Sequence, residues 1–261
     1  MSDPAVRFRF KERLAAAQRQ RGTFVFSPDP AITEIVGRAG FDFAIVDREH
    51  TALGWREIEA HARAAAAVGL SLLVRLQAPD EREVTHALDL GAEGVVVPHF
   101  GLDRAASAAC VKAARYAPAG ERGTCTGVRA NGYGLDDFAR MVELANSGAA
   151  VVVQIEDATV LEGLDELLAA VPVDAVMPGL ADLSTSLGHP GGFRHPEVLA
   201  AADRLFASVG RAGLPLGFYI ANSGEIARWA GRAAAFHVYS IDYKIVAEGY
   251  RAAAEALAAP G

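Results

Sequence analysis

The chain has 261 residues, 51% of them hydrophobic and 22% charged, with a formal net charge of −7. That length suits a single α/β barrel, and the apolar fraction suffices for one large core. The negative balance leaves no basic surplus to neutralise phosphates, which excludes a nucleic-acid partner, and no apolar run approaches the ~20 residues of a membrane span.

At the start, Arg7, Arg9, Lys11 and Arg13 interrupt any apolar stretch, so no secretory leader is expected and the location reads as cytoplasmic. Short β-branched runs then recur at residues 23–27, 43–47, 71–76, 94–98, 150–156, 174–177, 215–220 and 236–241. Most are almost wholly apolar, as strands buried on both faces of a parallel sheet should be. Helical periodicity fills the gaps, for instance over 55–68, 81–90, 161–171 and 197–212, and the Ala-rich stretch 251–259 reads as a last helix. Pro196 suits a first helical turn, and Gly213 suits a stop before the seventh strand.

Eight strands alternating with helices predict a (βα)8 TIM barrel, a single domain spanning 1–261. No GxGxxG follows the first strand, which argues against an open dinucleotide-binding sheet. Gly120, Gly123 and Gly127 follow no strand and precede no GK[ST], so they read as a loop. Cys110 and Cys125 form no CxxC and are expected as free thiols.

Barrel chemistry sits where strands end. The polar residues there are Asp47, Arg48, Glu49 and His50 after the second strand, Arg75 in the third, Gln154 and Glu156 in the fifth, Asp182 after the sixth and Asp242 after the eighth. Glu156 and Asp182 lie one β-α repeat apart, and two such carboxylates suit a hard divalent cation with open coordination positions. Taken singly, each has a structural alternative. Either acid could cap a helix, Arg75 could tie barrel layers together as an ion pair, and His50 could be a surface histidine. His99, after Pro98, reads as a structural or rim residue.

VDREH (46–50), VRLQ (74–77), ALDLGAEGVVVP (87–98), VQIED (153–157) and GLADLSTSLGHPG (179–191) together resemble the HpcH/HpaI aldolases. These are metal-dependent (class II) pyruvate aldolases of aromatic and sugar-acid breakdown. The resemblance implies reversible cleavage of a 4-hydroxy-2-oxo acid to pyruvate, or hydroxypyruvate, plus an aldehyde through an enolate. A related enolate-forming lyase or decarboxylase, such as an acyl-CoA lyase or an oxaloacetate decarboxylase, is the alternative.

By the same resemblance Glu156 and Asp182 ligate Mg²⁺, Mn²⁺ or Co²⁺, Arg75 stabilises the enolate, and His50 moves the proton. Gln154 lines the pocket, and backbone N–H groups around Gly179 and Ala181, opening a helix after the sixth strand, receive the substrate carboxylate. Asp89 is the implied partner of the histidine. Because it precedes the fourth strand, it should lie at the opposite end of its own barrel and reach His50 only from a neighbouring subunit, unless the helix boundary differs. Leu180 stands where the family pattern has proline, and the segment 120–134 departs from it. The family further implies a homo-hexamer in which the last helix, 244–258, packs on a neighbour. A Schiff-base alternative is poorly served, since Lys11, Lys112 and Lys244 all fall outside the strands.

Overall fold

A computed structural model describes residues 8–226 and 234–258. Its strands are β1 (Gln20–Val25), β2 (Phe43–Asp47), β3 (Ser71–Arg75), β4 (Gly94–Val97), β5 (Ala150–Ile155), β6 (Ala175–Pro178), β7 (Gly217–Ile220) and β8 (Phe236–Ile241). All pair in parallel in the order β6-β5-β4-β3-β2-β1-β8-β7, and a bridge between Val176 and Leu216 brings β6 against the start of β7, so the barrel is nearly closed. The predicted strands are therefore all present, with ends shifted by a few residues. Glu156 falls just beyond β5, in the loop, rather than inside the strand.

Between the strands lie α2 (Ala31–Arg38), α3 (Trp55–Val68), α4 (Glu81–Asp89), α5 (Arg104–Ala113), α6 (Phe138–Gly148), α7 (Leu164–Ala170), α8 (Leu180–Ser186) and α9 (Pro196–Arg211), with α1 (Arg9–Ala15) before the barrel and α10 (Asp242–Ala258) after it. The expected helix at 161–171 is instead a 3₁₀ turn, Ala158–Gly163, followed by the shorter α7. Asp157 caps that turn through Thr159 N–H at 2.8 Å, which holds the chain in the tighter winding.

Strand side chains alternate between two cores. Val46, Val74, Val97 and Val153 pack outward under the helices, while Ile45, Leu73, Val96 and Val152 fill the barrel interior. Helix α1 closes the N-terminal end. Phe10 sits edge-on against Phe43 and Phe236, with ring centroids 5.0 and 5.6 Å away. Gly22 and Gly217 make that aromatic floor fit, because a Cβ at either would collide with the ring of Phe43 or Phe236. Phe10 N–H donates to the buried carboxylate of Glu93 at 3.0 Å, and Gln20 Nε2 donates to Phe10 C=O at 3.1 Å. Burial pushes Glu93 up to about 7, against the hydrogen bonds from Phe10 and Ser71.

At the other end, α10 is anchored by its first residue. Asp242 accepts from Phe26 and Ser27 N–H at 3.0 and 2.9 Å, tying β8 to the end of β1. Beyond that anchor the helix leaves Val246, Tyr250 and Leu257 exposed. Among the described residues no helix is long and apolar enough to cross a membrane.

Candidate active site at the C-terminal mouth

Adjacent parallel strands bring their last residues to one rim. Asp47 of β2 pairs in register with Arg75 of β3, and Asp47 Oδ1 accepts from Arg75 Nε at 2.5 Å. Asp47 is fully buried and its other oxygen accepts from His50 N–H at 3.0 Å, so one carboxylate orients both the guanidinium and the turn that follows β2. Arg75 Nη1 reaches Glu49 Oε2 at 3.1 Å and Gln154 Oε1 at 3.5 Å. Its guanidinium carbon lies 4.5 Å above the ring of Phe24. The next residue back, Arg48, stacks 3.7 Å over Trp55 and pairs with Glu83 at 2.6 Å, fastening the same turn to α4.

Glu49 continues the network. Its Oε1 lies 3.1 Å from His99 Nε2, and His99 Nδ1 lies 3.4 Å from Glu156 Oε1. His99 N–H donates to the same Glu156 oxygen at 2.6 Å, while Gln154 Nε2 donates to Oε2 at 3.1 Å. His99 holds a left-handed conformation, φ 47°, which turns its ring back between the two glutamates. Gly179 leaves the space in which the Glu156 carboxylate lies, because a Cβ there would collide with it. Burial holds Glu156 above the usual carboxylate range; Glu49 and Asp182 add to the rise, and His99 opposes it.

A cavity of about 330 Å³ opens over this network. His50, Arg75, Gln154, Gly179, Ala181 and Asp182 line it, so most of the residues singled out by sequence share one chamber, with Glu156 buried beneath. Phe24, Phe26, Phe193, Phe218 and Tyr219 give the chamber an aromatic lining, which Glu225 shares.

Asp89 lies away from the chamber of its own chain, as its position before β4 implied, and Gly179 stands differently from expectation. Asp89 ends α4, accepts from Arg122 Nη2 at 2.7 Å, and lines a separate groove of about 640 Å³ with Glu81, His86 and Arg129. It takes no part in the chamber of its own chain. That groove is the larger, but it holds no network of buried charges like the one beneath the mouth. Gly179 N–H is committed to Ile155 C=O at 3.1 Å, within the β5–β6 pairing, and cannot receive a substrate carboxylate. The amides of Leu180 and Ala181 precede the first intrahelical bond of α8, from Leu183 N–H to Gly179 C=O, and keep that capacity.

Glu49 and His99 gain an importance that the sequence reading did not give them. Single ligand atoms from Glu49, His99 and Glu156 lie within 4.8 Å of one another, close enough to share an ion. Asp47 and Glu49 hold the guanidinium of Arg75, and Glu49 and Asp182 both act on the buried carboxylate of Glu156. An oxygen-rich, negatively charged donor set of this kind fits a hard divalent cation. The lysines lie outside it: Lys11 pairs with Asp174 at 2.8 Å, Lys112 with Glu121 at 3.0 Å, and Lys244 sits on α10.

The profile of the HpcH/HpaI aldolase/citrate lyase family matches residues 20–248. A hydroxypyruvate/pyruvate aldolase of Sagittula stellata is 34% identical, over 91% of this chain and 93% of its own. A 2-dehydro-3,6-dideoxy-6-sulfogluconate aldolase of Pseudomonas putida is 35% identical, over 75% of this chain and 76% of its own. The crystal structure of an HpcH/HpaI aldolase from Desulfitobacterium hafniense superposes with a TM-score of 0.88 at 31% identity, covering 96% of this chain and 97% of the other.

Proposed function

This chain belongs to the HpcH/HpaI aldolase/citrate lyase family, and we propose from that premise how its mouth performs class II pyruvate aldolase chemistry. The protein is a carbon–carbon lyase acting on small 2-oxo acids. The observation that carries the residue roles is the cluster of Glu49, His99 and Glu156 beside Arg75, under a chamber that Arg75, His50 and Asp182 line.

Glu156 and Asp182 would hold a divalent cation, and Glu49 and His99, whose ligand atoms lie within 4.8 Å of that of Glu156, would complete or orient the Glu156 side of the site. Mg²⁺, Mn²⁺ or Co²⁺ suits this donor set. When bound, such a cation supplies Lewis-acid stabilisation of negative charge on the 2-oxo group.

Arg75 aims at the same charge. Asp47, Glu49 and Gln154 engage Nε and Nη1, and Nη2 is left without a protein acceptor among the described residues. That donor is free for the keto oxygen as it becomes an enolate oxygen. The substrate carboxylate would meet the Ala181 amide at the start of α8. In the cleavage direction the C4 hydroxyl gives its proton to a base, the C3–C4 bonding pair moves into the enolate, and the aldehyde departs. Protonation at C3 then yields pyruvate. His50, with Nε2 3.7 Å from Glu49 Oε2 and its side chain open to the chamber, is placed to carry that proton.

The aromatic wall would take the acceptor. Arg75 is the sole lysine or arginine among the described lining residues, and it is committed to the donor, while Glu225 repels a second anion. In the assembled protein α10 would pack its exposed Val246, Tyr250 and Leu257 on a neighbouring subunit, as in a hexamer. Asp89 could then act beside a neighbouring subunit's His50.

The decisive experiment strips the protein with EDTA and measures pyruvate release from a 4-hydroxy-2-oxo acid as metals are added back. Activity should vanish and return with Mg²⁺, Mn²⁺ or Co²⁺. Full activity in EDTA, or a covalent pyruvate adduct trapped by borohydride, would overturn the assignment.

A further inference from the structure

A second cluster of metal-binding groups lies outside the aldolase network, on the loop joining α8 to α9 and the first turn of α9. One ligand atom each from His189, His195 and Glu197 lies within 4.8 Å of the others. We propose that these three side chains form a second metal site, selective for a borderline transition ion such as Zn²⁺ and separate from the hard-cation site of the mouth.

The loop backbone is fixed before any ion arrives. Gly188 and Gly191 take φ of 80° and 73°, so the chain reverses twice within four residues. His189 N–H donates to Ser184 C=O at 2.8 Å, Gly191 N–H to Ser184 Oγ at 3.2 Å, and His195 N–H to Gly192 C=O at 2.8 Å. These bonds bring residues 189 and 195 together, with ring centroids 3.5 Å apart and planes 23° from parallel. Rings this close can turn out of the stack to present one nitrogen each to a shared cation.

The ring nitrogens are already apportioned. His195 Nδ1 accepts from Glu197 N–H at 3.4 Å as the N-cap of α9, which leaves Nε2 for another partner. His189 Nε2 already contacts Glu197 Oε2 at 2.9 Å. Ligand atoms around a tetrahedral ion at about 2.1 Å stand about 3.4 Å apart, so side-chain rotation alone would close the set. Two imidazoles and one carboxylate favour zinc, nickel or copper over magnesium. All three side chains are partly or fully exposed, which gives an ion access, and three protein ligands leave a coordination position for water.

The loop is shared with the main chamber. Phe193, between the two histidines, belongs to the aromatic wall, while Gly191–His195 also border a second cavity of about 530 Å³ with Gly224 and Glu225. An ion bound here would staple the loop that carries this part of the wall.

The test is equilibrium dialysis against Zn²⁺ with Mg²⁺ in excess, using full-length protein carrying Glu156→Gln, Glu49→Gln and His99→Asn so that the mouth does not contribute. One equivalent of Zn²⁺ should remain bound and raise the melting temperature. Adding His195→Asn, which keeps a capping oxygen but removes the imidazole, or Glu197→Gln should eliminate both effects. If the mouth variant retains no Zn²⁺, or if the further substitutions leave the same equivalent bound, the site does not exist and His189–Glu197 is only an ion pair. Neither result depends on aldolase activity.

Discussion

The two ends of this barrel both bury carboxylates, and they treat them in opposite ways. At the floor Glu93 stands apart, capped by Phe10 N–H under three packed aromatic rings, and burial raises it to about 7. At the mouth Asp47 and Glu49 share the Arg75 guanidinium, while the buried Glu156 faces Glu49 and the exposed Asp182. A lone buried acid can take up a proton and become a hydrogen-bonded plug. A crowd of acids around a cavity is stabilised by a cation instead. The same residue type thus closes the fold at one end and builds chemistry at the other.

The contrast is broken most severely by Glu156→Gln. Metal-dependent pyruvate release should be abolished while circular dichroism and melting behaviour stay close to the parent; retained turnover would remove Glu156 from the ligand set. Arg75→Lys keeps the charge but loses the fork that Asp47 and Glu49 grip, so kcat should fall by about 10²–10³ in steady-state assays.

At the floor, Phe10→Ala should cost about 3–5 kcal/mol in urea unfolding, with kcat of the remaining folded protein unchanged. Glu93→Gln sharpens the comparison through pH. The folded protein holds the Glu93 proton up to about 7, while the ordinary value is 4.5, so the parent loses stability as pH rises between those values. The variant escapes that loss. Its stability relative to the parent should grow by about 3 kcal/mol from pH 4.5 to 8, measured as the difference between two denaturation series. The smallest effect is expected from Glu225→Gln, which removes the like charge from the acceptor wall. Relative kcat/KM for a carboxylate-bearing aldehyde over a neutral one should rise by about tenfold, worth about 1.4 kcal/mol.

Much of this was legible in the chain itself. The strands stood out because Val, Ile and Leu runs buried on both faces need no alternation, and the spacing of those runs implied the barrel. Helix α1 was hidden, because Arg9, Lys11, Glu12 and Arg13 mask the two residues, Phe10 and Leu14, that face the core. The rim residues His50, Arg75, Gln154, Glu156 and Asp182 could be picked out as polar groups at the ends of apolar runs, and family resemblance gave them roles. His99 could not, since a histidine after a strand has many uses and only its positive φ turns the ring between Glu49 and Glu156.

What the sequence determined by itself was the set of elements, because apolar periodicity is a local property that each segment carries alone. What only the tertiary structure decided was partnership. Asp47 meets Arg75 because β2 and β3 pair in register, and Glu49 meets His99 because barrel closure brings the ends of β2 and β4 to one rim. Gly179 was expected to offer its amide to a substrate, but pairing of β5 with β6 uses that group and leaves the residue's missing side chain as its contribution. Asp89 carries a role by resemblance alone, and its place at the end of α4, beside Arg122, keeps it from the His50 of its own chain. Contacts of this kind depend on strand register and chain reversal over tens of residues, which no local pattern encodes.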